Sequence, residues 1–291
     1  MTDELKYKFE VINIKLQTEK EGDDKKEAYI KLITDLVDNK VHSAVAENKH
    51  IMLYSYFRKK TEVTGVDYLY GRIGKGFYFD KKSGQAIDIE NLKSETIEND
   101  TSKIFDASIA EFIFIPEAHR FCIQLGAKIS GNDVRKFFMN SLLEVKEQND
   151  IIRIELENEP KAIDEILTAK RIHKIDYVVT YTNDDVLSAS ADLFDKRLKK
   201  SQIGKIEIKA ESDHNDFMNI KGEELLEGGI ELARSNGAIK SATITTSENT
   251  RKTVKSADTP LRIEIKSTAE KFRGYMANLI MKTFRTESND A

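Results

Sequence analysis

Apolar residues recur along this 291-residue chain with two different periods, and the switches between them lay out its elements. In "KYKFEVINIKL", residues 6–16, Tyr7, Phe9 and Val11 share one face, then Ile12, Ile14 and Leu16 share the other. That change of phase predicts a bulge or a strand covered on both sides. The period then lengthens. Tyr29, Leu32, Ile33, Leu36 and Val37 stand at i, i+3, i+4, i+7 and i+8, the spacing of a helix with one buried stripe. "HIMLYSYFR", 50–58, is apolar on both faces and predicts a central strand, and "DYLYGRIGKGFYFD" and "GQAIDIE" continue the sheet with Ser83-Gly84 as turn. "EFIFIPEAHRFCIQL" predicts a hairpin turning through Pro116, Glu117 and Ala118. After Ser130-Gly131-Asn132 comes a helix that buries Val134, Phe137, Phe138, Ser141, Leu142 and Val145.

The second half repeats the alternation more regularly. "IIRIELE" is a strand, Pro160 opens a helix, and "KIDYVVTYT" is a strand. Asn183, Asp184 and Asp185 then cap a helix that buries Leu187, Ala191, Phe194 and Leu198. "KIEIKA" precedes a helix ending at Asn236-Gly237, read as a left-handed cap. "AIKSATITT" and "LRIEIKS" add strands, and Phe272, Tyr275, Met276, Leu279 and Ile280 line a last helix. Alternating strands have one packed and one wetted face. The expected fold is therefore α+β in two lobes, residues 1–149 and 150–291, each a mixed or antiparallel sheet with helices packed mainly on one face.

Composition narrows the function classes. Hydrophobic residues at 40% and charged residues at 33% allow both a core and a polar surface. A net charge of −4, from 46 basic and 50 acidic residues, supplies no global pull toward nucleic acid, so any polyanion site must be a local patch. The single cysteine, Cys122, excludes an intrachain disulfide framework and a thiolate zinc cluster. No apolar run approaches the roughly 20 residues of a membrane span, and the N-terminus lacks a signal core. The expectation is a cytoplasmic protein with no membrane partner.

One stretch, "GKIEIKAESDHND" at 204–216, invites a catalytic reading. Metal-dependent nucleases place Glu-x-Lys on a strand, so that carboxylates hold Mg²⁺ or Mn²⁺ while the lysine orients the attacking water. Glu207 and Lys209 fit that pattern, Asp184 or Asp185 would supply the upstream acid, and Asp213, His214 and Asp216 would add metal ligands. Against it, Glu264 and Lys266 repeat the device, and Arg153, Glu155 and Glu157 alternate in the same way. Cross-strand charge pairing on a solvated face explains all three strands without catalysis or any cofactor. "ESDHND" is ordinary turn and cap material, and no partner histidine stands at ligand spacing from His214.

Binding candidates are the local cations. Arg72 and Lys75 lie in "GRIGKGF", which fits no phosphate-loop pattern and whose glycines mark bulges or close backbone approach. His119 and Arg120 follow the hairpin turn and are expected to be reachable. Arg251, Lys252 and Lys255 form a second patch in "TRKTVKS". Sheet-type RNA recognition needs exposed rings. The outward positions of the second half carry none, and Tyr54, Tyr56, Phe57, Tyr68, Tyr70, Phe77, Tyr78 and Phe79 of the first half read mostly as core or interface.

Taken together, "EFIFIPEAHRFCIQL", "YTNDDVLSASADLFDKRL", "GEELLEGGIELARSNG" and "ADTPLRIEI" resemble a bacterial domain-of-unknown-function family encoded among phage-defence and mobile-element genes. The resemblance implies a role in defence or genome conflict and carries over no catalytic residues. The expected function is a non-enzymatic binding component of such a system, recognising a protein partner or nucleic acid. The alternatives are the metal-dependent nuclease and a homo-oligomeric sensor of a phage protein.

Overall fold

The phase change in the first strand is resolved by packing on both of its sides. In the computed structural model, which describes residues 4–88, 93–180, 188–213, 216–220, 224–255 and 259–285, strand β1 (Leu5–Gln17) has both faces buried. Ile12, Ile14 and Leu16 enter the core beneath α1 (Gly22–Asp38) and α2 (Gly131–Val145). Tyr7, Phe9 and Val11 enter a second core beneath α6 (Phe272–Arg285). A sheet sandwiched between helices in this way explains why the strand is apolar on alternate faces in turn.

β1 is the hub of an eight-stranded sheet whose pairings are all antiparallel. One side of β1 pairs with β8 (Arg120–Gln124), and the order continues through β7 (Phe105–Ile115), β4 (Asp67–Phe77) and β3 (Lys49–Lys60) to β2 (His42–Ala46). β14 (Arg262–Ser267) pairs with residues 5–10 of β1 and β9 (Ile151–Leu156) with residues 12–17. The expected break near residue 149 therefore does not separate the sheets, because β9, β14 and α6 all join the first one. "HIMLYSYFR" is next to the sheet edge instead of central, and a bulge between Leu53 and Ser55 interrupts it. β5 (Ser83–Asp88) and β6 (Lys93–Glu98) form a separate two-stranded ribbon.

A buried ion pair ties the hub together. Arg120 is fully buried, its Nε 2.9 Å from a carboxylate oxygen of Glu157, which is 3% exposed. The Arg120 guanidinium donates to the Ala118 carbonyl at 2.8 Å and lies 4.2 Å from the Phe284 ring centre. Glu157 donates its backbone N–H to Val11 at 2.9 Å and accepts from Leu261 at 2.7 Å. Arg58 of β3 and Lys26 of α1 converge on Asp67, whose side chain is 1% exposed.

Between β9 and β14 the chain builds a second, four-stranded antiparallel sheet. Its order is β11 (Ile206–Glu211), β10 (Arg171–Val179), β12 (Gly237–Thr245), β13 (Arg251–Val254). One face packs on α3 (Lys161–Leu167), α4 (Ala189–Lys200) and α5 (Gly229–Asn236). Ser188 caps α4 by accepting the Ala191 N–H. Residues 183–185 lie outside the described part of the chain. Gly237 is extended, with φ 167, instead of left-handed. It is needed because a Cβ there would stand 2.0 Å from the Val178 carbonyl oxygen. No described helix is long and apolar enough to cross a membrane.

The core makes two measurable demands. Phe138 is fully buried, edge-on to Phe121 with ring centres 4.8 Å apart. Phe138→Ala should cost roughly 3–5 kcal/mol in urea unfolding, and near-wild-type stability would show that the α2 stripe does not carry the core. The second demand is electrostatic. Burial pushes the Asp67 carboxyl up, but hydrogen bonds from Arg58 and Lys26 outweigh it and hold the pKa below the usual value. A lowered folded pKa gives stability that is present above about pH 4 and lost as the pH falls through the folded value. Asp67→Asn should therefore be less stable than wild type at pH 7, with the gap closing in acid. A gap that stays constant across that titration would contradict the coupling.

Candidate functional site

The Glu-x-Lys strand lies on the solvent face of the small sheet. Glu207 and Lys209 are both exposed on β11. The Lys209 ammonium is 3.3 Å from Glu207 and 3.7 Å from Asp176 of β10, and Lys240 of β12 reaches Glu207 at 2.6 Å. Hydrogen bonds from Lys240 and then Lys209 hold the Glu207 carboxyl below its ordinary range, and the same bond to Glu207 raises Lys209. The acid facing Lys209 is thus Asp176, brought there by strand pairing (Asp176 opposite Lys209), a relation that spacing along the chain does not reveal. Asp184, Asp185 and His214 lie outside the described residues. Asp213 and Asp216 form a turn closed by the Asp216 N–H to the Asp213 carbonyl at 2.9 Å. Among the described residues no group of three or more His, Cys, Asp or Glu side chains is placed to hold a metal ion. The related strand β14 shows the same cross-strand pairing, with Glu264 3.3 Å from Lys6 and 3.1 Å from Lys8.

Three of the expected surface cations are turned inward. Lys75 points beneath α2 and pairs with Asp133 at 2.8 Å. His119 is 3% exposed, its ring stacked on Tyr29 with centres 4.4 Å apart. Burial first, then the neighbouring Arg285, Arg120 and Lys25 charges, drives the His119 pKa well below its ordinary value, so the ring is neutral at pH 7. Arg120 is the buried partner of Glu157. The hairpin end is not reachable because α6, from the far end of the chain, packs over it through Phe284 and Arg285. Cys122 is buried beside it, and that burial pushes its thiol pKa up, away from reactivity. Arg251, Lys252 and Lys255 are exposed at the β13 edge, where Lys252 pairs with Glu165.

Arg72 alone of the first-half candidates faces solvent, and the residues around it are informative. It stands on the outer face of the main sheet, between Ser55 and Glu111 in the ladders. α6 packs on this face over β7 and β14 and its Arg273 reaches the Tyr70 ring, while Tyr54 and Phe57 of β3 stay exposed. Two positions along β4 from Arg72, Tyr70 stacks on Phe57 with ring centres 5.3 Å apart, and Phe57 is 58% exposed. Two positions the other way is Gly74, where the Tyr54 ring lies 3.7 Å from the place of a Cβ, an ordinary contact. Tyr54 is 38% exposed, and Ile109, opposite Gly74, is 53% exposed. The Lys59 ammonium lies 5.6 Å from the centre of the Tyr70 ring, and Arg273 of α6 lies 4.9 Å from it. The face's carboxylate, Glu111, is held by Arg273 through contacts of 2.9, 2.8 and 2.7 Å.

Exposed rings beside cations on an open sheet are able to stack planar groups and pair with phosphates. The sequence reads most of the eight rings as core or interface, and Tyr54 and Phe57 are two that the single chain leaves exposed. The missed signal is the bulge at Leu53–Ser55, which turns Phe57 outward.

The chain belongs to the family described as a domain of unknown function, DUF4747, whose sequence model matches residues 5–282. No curated protein matches the chain.

Proposed function

We propose that this DUF4747 protein is a non-enzymatic binding component that takes single-stranded nucleic acid on the outer face of its main sheet. The observation that carries the reading is the open β3–β4 face, where Phe57 and Tyr54 are exposed beside Arg72 and Lys59. Bases stack on rings with little regard to sequence, and cations between them meet the phosphate backbone. Glu111, a carboxylate on this face, is already paired with Arg273. A local patch of this kind is what a chain of net charge −4 requires if it is to hold a polyanion. The exposed Arg251, Lys252 and Lys255 at the edge of the small sheet offer a second contact. The setting, a bacterial antiphage or mobile-element system, rests on the resemblance of its sequence motifs. A protein partner, or a second copy of the chain seated on the same rings, is the competing reading.

Fluorescence anisotropy with labelled oligo-dT and oligo-U, at low and physiological salt, tests the proposal. Binding should weaken steeply with salt, because each neutralised phosphate releases counterions. Phe57→Ala should cost about 1–3 kcal/mol of affinity as a lost stacking platform, and Arg72→Ala should reduce the salt slope by about 1. No binding at low salt, or equal binding by Phe57→Ala, would overturn the reading and leave the face to a protein partner. If the oligonucleotides are cut with Mg²⁺ or Mn²⁺, and neither EDTA-treated protein nor Lys209→Ala cuts them, the function moves to the Glu207 strand.

A further inference from the structure

The outer face leaves unused a cleft of about 570 Å³ between the two sheets. One wall is apolar. Met139 and Leu143 of α2, 52% and 62% exposed, lead down to Ile152 and Leu156 of β9. The opposite wall is formed by β10 and β12 of the small sheet, at Val178, Thr180 and Ala238.

The charges lining this cleft are lopsided. Among the described residues, Arg135, Arg153 and Lys205 line it together with one carboxylate, Glu155. That carboxylate is already satisfied, because the buried Lys15 ammonium lies 2.7 Å from it and the Thr180 hydroxyl donates to it at 2.9 Å. Arg153 is committed to the Gly204 carbonyl. Arg135 is half-buried in the lining, with an Nε that is buried and makes no hydrogen bond among the described residues. A guanidinium cannot shed its proton, and it can only donate.

We infer that the inter-sheet cleft binds a small organic oxyanion, a phosphate or carboxylate carrying an apolar body. Arg135 and Lys205 hold the oxyanion, and Met139, Leu143 and Leu156 cover the body. The volume falls within the roughly 300–1,000 Å³ of pockets that enclose small molecules. A satisfied acid on the floor removes the repulsion that an anion would otherwise meet. The site is independent of the outer face, since no residue is shared between them.

Isothermal titration of the full chain with AMP, octanoate and inorganic phosphate tests the inference. Saturable binding of AMP or octanoate is expected, falling at least about tenfold in Arg135→Ala through loss of a charge-assisted contact. AMP alone would identify a phosphate ligand, octanoate alone a carboxylate. The exposed Lys205→Ala should weaken the same probe, and it keeps the test valid if Arg135→Ala does not fold. Arg72→Ala should bind the probe as wild type does, and Arg135→Ala should leave oligonucleotide binding unchanged. No binding of AMP or octanoate at millimolar concentration, equal affinity for inorganic phosphate, or indifference to both cleft substitutions would overturn the inference. AMP binding without any oligonucleotide binding would sink the outer-face reading and leave this one standing.

Discussion

The pairing of Arg120 with Glu157 is the constraint on which the main sheet depends. Both ions are out of water, and the desolvation of each costs several kcal/mol, so only close geometry with further hydrogen bonds makes the arrangement tolerable. That geometry involves four strands at once. Arg120 begins β8, while Glu157, just past β9, bonds through its backbone to Val11 of β1 and to Leu261 before β14. A one-residue slip of any of these strands would set a charge against apolar side chains. The pair thereby ties together the register of these strands, and α6 seals it by laying Phe284 over the guanidinium.

What was legible in the sequence is whatever depends on near neighbours. The two-faced phase of β1, the hairpin of β7 and β8, and the apolar stripe of α2 can each be read from a dozen residues. The start of α2 after Ser130-Gly131-Asn132 is legible too, and the structure closes it with a reciprocal cap in which Ser130 accepts from the Asp133 N–H and the Asp133 carboxylate accepts in return. What was not legible depends on partners far along the chain. Arg120 has the sequence context of an exposed hairpin end and is buried only because α6 returns to cover it. Asp176 and Lys209 become neighbours by strand pairing alone.

The charged strands show the same limit more sharply. "IEIKAE" in β11 and "IIRIEL" in β9 have the same alternation, and sequence reasoning treated both as solvated faces. β11 conforms, with Glu207 and Lys209 in water. In β9 the alternate residues Arg153 and Glu155 instead line the cleft, because Lys15, buried in the neighbouring β1, anchors Glu155 from below. A local pattern states which residues share a face; the tertiary partners decide whether that face meets solvent, a helix or a cavity. The ring-bearing face of β3 makes the converse point. A single bulge, invisible to a period of two, exchanges inward and outward positions and presents Phe57 to solvent.

The small sheet leaves the main one at Asn158 and comes back at Pro260, and these two residues are themselves paired as a bridge, with the Glu159 N–H bonded to Thr259 at 2.8 Å. The two crossing strands thus run side by side like the stem of a loop. A chain spliced directly from one to the other would keep every strand of the main sheet and the buried pair at its hub. The four-stranded unit is in that sense a cassette, and exchanging it would alter one wall of the inter-sheet cleft while leaving the outer face untouched.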